Sequence, residues 1–155
     1  MATRSNDLKI EFANNGVVDS LTGVSAPNVF RLNLKQATSN ADRNGEPLTI
    51  LTVRIQEESL KIKSLDSAKF IETSLISLAK VIKKNTRGGD FFSRISELGF
   101  WILLHGDKLS GVMAKKRIIQ NSELEIQTQL YSRLNSMSGE QWIKEIDSEY
   151  FSVKS

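Results

Sequence analysis

The sequence predicts an α+β domain in which a central, mostly antiparallel sheet is flanked by helices. Three observations predict it. Residues 48–56 are rich in β-branched side chains, with apolar residues on both parities, as a strand covered on both faces requires. Residues 91–95 and 100–104 are short apolar runs separated by 96–99, a gap that suits a tight hairpin. Residues 66–84 carry Phe70, Ile71, Leu75, Leu78, Ala79 and Ile82 at spacings of three and four, the period of one buried helix face.

The remaining elements follow in order. Residues 1–16 are polar apart from Leu8, Ile10 and Phe12, break at Asn14, Asn15 and Gly16, and read as an N-terminal arm; residues 17–155 form the domain. A helix starts near Pro27, because proline suits the first helical turn, and buries a face containing Val29, Phe30, Leu32, Leu34 and Ala37. Asn44, Gly45, Glu46 and Pro47 turn the chain into the first strand, and 57–65 form a polar connector. A helix fits 108–120, and 124–130 alternate as a strand should. Ser138 and Gln141 have capping-box spacing before a last helix with Trp142, Ile143 and Ile146. The chain shows no internal repeat and no second domain.

Composition excludes several functions. A chain of 155 residues suits one domain with a real core. No apolar run approaches the roughly 20 residues of a membrane helix, so membrane insertion is not expected. The opening residues lack the apolar stretch of a signal peptide, and a cytoplasmic location is expected. With no cysteine there are no disulfides or thiolate metal sites. The net charge is +3, and the densest basic clusters, Lys83-Lys84 and Lys115-Lys116-Arg117, lie on predicted helices as solvated faces. A nucleic-acid footprint needs a denser stripe with aromatics, so no nucleic-acid partner is expected. Phosphate loops, zinc-ligand spacings and nucleophile elbows are missing.

Motifs add a resemblance. Asp-Ser-Leu-Thr-Gly at 19–23 is similar to the D-x-L-T-G turn that opens the GGDEF (diguanylate cyclase) domain. Residues 48–56 sit where that family has its metal-bearing strand, the hairpin at 96–100 where it has its signature, and 138–147 resemble its closing helix. The resemblance covers residues 17 to about 151 and implies the nucleotidyl-cyclase palm, a ferredoxin-like fold.

Gly88-Gly89-Asp90-Phe91-Phe92 reads like the signature with one substitution, but its position argues against it. It precedes the first hairpin strand, and no apolar strand follows it at once. Counting along the family pattern, R-x-x-D and then five residues, places Arg87 and Asp90 on the first motif. Ser96, Glu97, Leu98, Gly99 and Phe100 then form a degenerate signature.

In that register the catalytic residues are lost. An active cyclase moves phosphoryl groups with the help of metal ions, and Mg²⁺ requires carboxylate oxygens. The strand position that carries an aspartate in the family is Arg54, with Gln56 two residues on; Leu98 and Gly99 replace the acidic signature residues. The guanine-recognition stretch corresponds to residues 60–63, where nothing comparable occurs, and Ala26 and Pro27 replace the asparagine and arginine after the opening turn. The resemblance thus implies a degenerate domain that is not an enzyme, with no catalytic residues, no metal and no cofactor.

The R-x-x-D motif is retained. In the family it binds the product, cyclic di-GMP, away from the catalytic site. The Arg87 guanidinium can take guanine O6 and N7 or stack on the base, and Asp90 can accept from N1–H and the N2 amine. Lys61, Lys83, Lys84 and Arg94 are candidates for a further basic contact. An Arg–Asp pair in a helix-to-strand turn is also a common structural feature. His105 reads as a loop residue, Trp101 and Trp142 as core or interface, Asp19 as a turn-former and Arg94 as a structural strand residue. Three readings stand: a cyclic di-GMP receptor that signals to a protein partner, a protein-binding scaffold or homodimer that takes no nucleotide, and a residual enzyme or GTP-binding regulator.

Overall fold

The computed structural model describes residues 10–58, 68–134 and 136–152. Among the described residues eight elements follow one another: α1 (Pro27–Asn44), β1 (Thr49–Ile55), α2 (Ala68–Lys84), β2 (Phe91–Ser96), β3 (Gly99–Leu104), α3 (Lys108–Asn121), β4 (Ile126–Ser132) and α4 (Gly139–Tyr150). Every neighbouring pair in the sheet is antiparallel, in the order β2-β3-β1-β4. The predicted α+β class and helix–strand order are observed, but Leu32, placed on the buried face of α1 by the sequence, is exposed: it is two residues from both Phe30 and Leu34 and so turns away from the face they bury.

Alternation along the two central strands explains why the sheet is covered twice. Leu51, Val53 and Ile55 of β1 and Phe100, Ile102 and Leu104 of β3 face α2 and α3, packing with Ile71, Leu75, Ile82 and Ile118. Ile50, Trp101 and Leu103 point the opposite way, onto Phe30 and Leu34 of α1 and Trp142 and Ile146 of α4. Burying one such leucine or isoleucine is worth about 1.5–3 kcal/mol, so each face contributes strongly to stability.

Local signals set the ends of the helices. Pro27 opens α1 and Gly45, at φ 66°, closes it in the left-handed region that glycine enters without strain. Asp107 caps α3 by accepting from Ser110 N at 3.1 Å, and Ser138 caps α4 by accepting from Gln141 N at 3.1 Å. The last strand lies two residues later than the alternation predicts, at 126–132. A shift of two preserves which side chains face the core, so alternation cannot fix the ends; pairing from Ile55↔Ile126 to Thr49↔Ser132 does. The predicted connector at 57–65 and the start of the 66–84 helix fall largely outside the described residues.

Candidate functional site

The residues singled out in the sequence fall in two places, the β2–β3 hairpin and the loop before β2. The hairpin turn is at Glu97 and Leu98, with Ser96 paired to Gly99. Gly88 and Gly89 lie before β2, and Phe91 and Phe92 are its first residues, so this string is not the turn. Leu98 is buried in the core, and its carbonyl accepts from Ile55 N at 3.0 Å.

Arg54 of β1 stands opposite Gly99. Its guanidinium lies over the Tyr150 ring, 3.9 Å from the centroid, and donates to the Tyr150 carbonyl. The Tyr150 hydroxyl in turn lies 2.7 Å from Ser96 Oγ. A Cβ at Gly99 would sit 1.8 Å from that hydroxyl, so only glycine admits the tyrosine here. Tyr150 at the end of α4 and Arg54 of β1 thus fill the space beside the hairpin with an aromatic ring and a cation.

Arg94 lies on β2 and is fully buried, where it ties three segments together. Its NH1 group donates to Asp19 Oδ1 at 3.1 Å and to the Glu11 carbonyl at 2.6 Å, and NH2 donates to the Glu97 carbonyl at 2.7 Å. The Phe12 ring lies 4.8 Å from the guanidinium carbon. Burial pulls the Arg94 pKa below its ordinary value, and the charge and hydrogen bond of Asp19 oppose that pull. Asp19 also holds its own turn, accepting from Thr22 N at 2.9 Å and Thr22 Oγ1 at 2.7 Å. Ser25 bridges to Ser93, which places this turn along the outer edge of β2.

The Arg87–Asp90 loop connects α2 to β2. The Asp90 side chain is 2% exposed and accepts from Arg87 N at 3.0 Å and from His105 N at 2.9 Å. Arg87 has a 69% exposed side chain, donates to the His105 carbonyl at 3.2 Å and comes only within 4.0 Å of Asp90. His105 therefore belongs to this network. Its place was readable from the hairpin, because pairing Phe91 with Leu103 brings the residues flanking those strands together.

Beside this loop a cleft of about 600 Å³ opens between α2, residues 22–25 and residues 86–92. Ile76 and Phe92 supply apolar lining, Thr22 and Ser25 a hydroxyl-bearing wall, and Lys80, Lys83 and Arg87 the positive charge. Of the four basic candidates, Lys83 lines the cleft, Lys84 does not, Arg94 is buried, and Lys61 lies outside the described residues, as does the 60–63 stretch. Lys80 was missed, although it stands one helical turn before Lys83.

A family profile described as "Diguanylate cyclase, GGDEF domain" matches residues 16–138. The chain belongs to the GGDEF domain family. Solved GGDEF structures share its palm-like fold. One, from work on an interaction mode between a microbial GGDEF domain and cyclic di-GMP, is 13% identical with a TM-score of 0.74, over 88% of each chain. The GGDEF domain of DgcB from Caulobacter crescentus, in complex with cyclic di-GMP, is 14% identical with a TM-score of 0.73, over 90% of this chain and 91% of that one. The diguanylate cyclase SiaD from Pseudomonas aeruginosa, in complex with its activator SiaC, is 14% identical with a TM-score of 0.71, over 87% of this chain and 56% of that one. At these identities the likeness is one of fold. No curated protein sequence gives a match. Among the described residues of this GGDEF domain, no helix is long and apolar enough to cross a membrane.

Proposed function

We propose that this GGDEF domain is a catalytically inactive, cytoplasmic receptor for cyclic di-GMP, which binds in the cleft beside Arg87. The observation that carries the reading is that cleft, whose volume falls within the range of small-molecule sites and whose rim bears a solvent-facing guanidinium. Arg87 reads the guanine edge through O6 and N7. Asp90, already accepting two backbone amides, positions the loop that presents Arg87.

The loss of catalysis rests on taking Ser96, Glu97, Leu98, Gly99 and Phe100 as the relic signature. The donors around that hairpin do not fit a divalent cation. Arg54 brings positive charge where a carboxylate is needed, Leu98 turns into the core, and Tyr150 covers Gly99.

Titration calorimetry of the whole chain with cyclic di-GMP, without metal, tests the reading. Binding that Arg87→Ala abolishes is expected, together with no product from GTP and Mg²⁺ or Mn²⁺. Synthesis of cyclic di-GMP would overturn the inactive assignment.

A second reading, a scaffold that binds protein or a second copy and no nucleotide, draws support from Asp90. Its carboxylate is satisfied by the Arg87 and His105 amides, so a purely structural role accounts for its burial. SiaD in complex with its activator SiaC is a precedent for a protein partner. Absence of heat with either nucleotide would favour it.

A further inference from the structure

The cleft has a second charged wall that the Arg87–Asp90 loop does not supply. Lys80 and Lys83 are three residues apart near the end of α2, which places them on one helix face, and both line the cleft. Both are exposed, and among the described residues neither meets a carboxylate. Phe92 and Ile76 give the cleft apolar surface, and the turn at 22–25 bounds its far side. That turn is held by Asp19, which bonds both Thr22 and the buried Arg94. Ammonium groups next to apolar surface suit a ligand that is anionic in one part and aromatic in another.

We propose that Lys80 and Lys83 hold the phosphodiester groups of a guanine dinucleotide whose base is read by Arg87. The proposal rests on the reading of this cleft as the cyclic di-GMP site and adds what sets its specificity. The lysines select for phosphate, so guanosine, which offers only the base, binds far more weakly. Lys84, exposed on the same helix but outside the cleft, takes no part.

Calorimetry with cyclic di-GMP at low and high salt, on the full chain and its variants, is the test. Lys80→Ala and Lys83→Ala are each expected to weaken binding about tenfold, and the double variant about a hundredfold with a flatter salt response. Lys84→Ala is expected to bind like the unaltered chain. Thermal melts of all variants should coincide, since these side chains are solvated. If the unaltered chain binds and the double variant matches it in affinity and salt response, the lysine assignment is wrong while the receptor reading stands. No binding by the unaltered chain removes both.

Discussion

The Arg94 guanidinium and the Asp19 carboxylate meet inside the protein at 3.1 Å, with 0% and 2% of their side chains exposed. Removing one partner of such a pair leaves an uncompensated buried charge, which typically costs about 3–5 kcal/mol. Arg94→Met is therefore expected to lower unfolding stability by about that amount in urea titrations. It also deprives the Glu11 and Glu97 carbonyls of a donor. A loss of less than about 1 kcal/mol, the usual worth of a surface ion pair, would mean that the pair is solvated.

Tyr150 and Gly99 yield a coupled prediction. Gly99→Ala puts a methyl group on the Tyr150 hydroxyl, and overpacking of this kind costs about 1–3 kcal/mol. Tyr150→Phe loses the hydroxyl's bond to Ser96, about 1 kcal/mol. Combined, the two substitutions should cost less than their sum, because phenylalanine removes the closest of the new methyl's contacts, leaving only Ser96 Oγ and the Val53 carbonyl to crowd it. Strict additivity in a double-mutant cycle would count against the contact.

How far these contacts could be read in advance differs between them. The β2–β3 hairpin, the two-faced β1 and the α2 helix were legible because each depends on side-chain periodicity or turn length within one segment. Arg94 and Asp19 could be named individually as structural, but not paired, since 75 residues separate them and only the folded sheet edge joins them. Tyr150 gave no signal at all. Its role arises because α4 crosses back to the hairpin, a tertiary event that no local pattern encodes. Arg87 and Asp90 were singled out by their motif, whereas the contact of Asp90 with His105, after the hairpin, depends on the folded strands.

Gly88 lines the cleft, has no atom near its would-be Cβ, and does not adopt positive φ. Gly88→Trp should therefore fold normally, with an unchanged melting temperature, while the indole fills the cleft proposed to take cyclic di-GMP. At least a tenfold loss of cyclic di-GMP affinity, about 1.4 kcal/mol, is expected by calorimetry. Undiminished binding would place the ligand elsewhere.

Asp147 sits near the C-terminal end of α4, and burial raises its pKa, with Arg31 opposing the shift. A carboxylate whose folded pKa is raised costs stability once ionised, and the helix dipole adds to that cost. The penalty is absent below the unfolded value near pH 3.9 and develops as pH rises through the folded value. Asp147→Asn is thus expected to raise the melting temperature modestly at pH 7 and leave it unchanged at pH 3. A lower melting temperature at pH 7 would contradict this.

The Asp90 carboxylate grips the amides of Arg87 and His105, one on each side of the paired strands. Both bonds of this clasp lie within the chain, so the rim carrying Arg87 is shaped by its own backbone. If cyclic di-GMP docks there as proposed, it need not organise the backbone first, and less entropy is surrendered on docking. Association should accordingly follow one exponential whose rate climbs linearly with nucleotide concentration, with no slower rearrangement behind it.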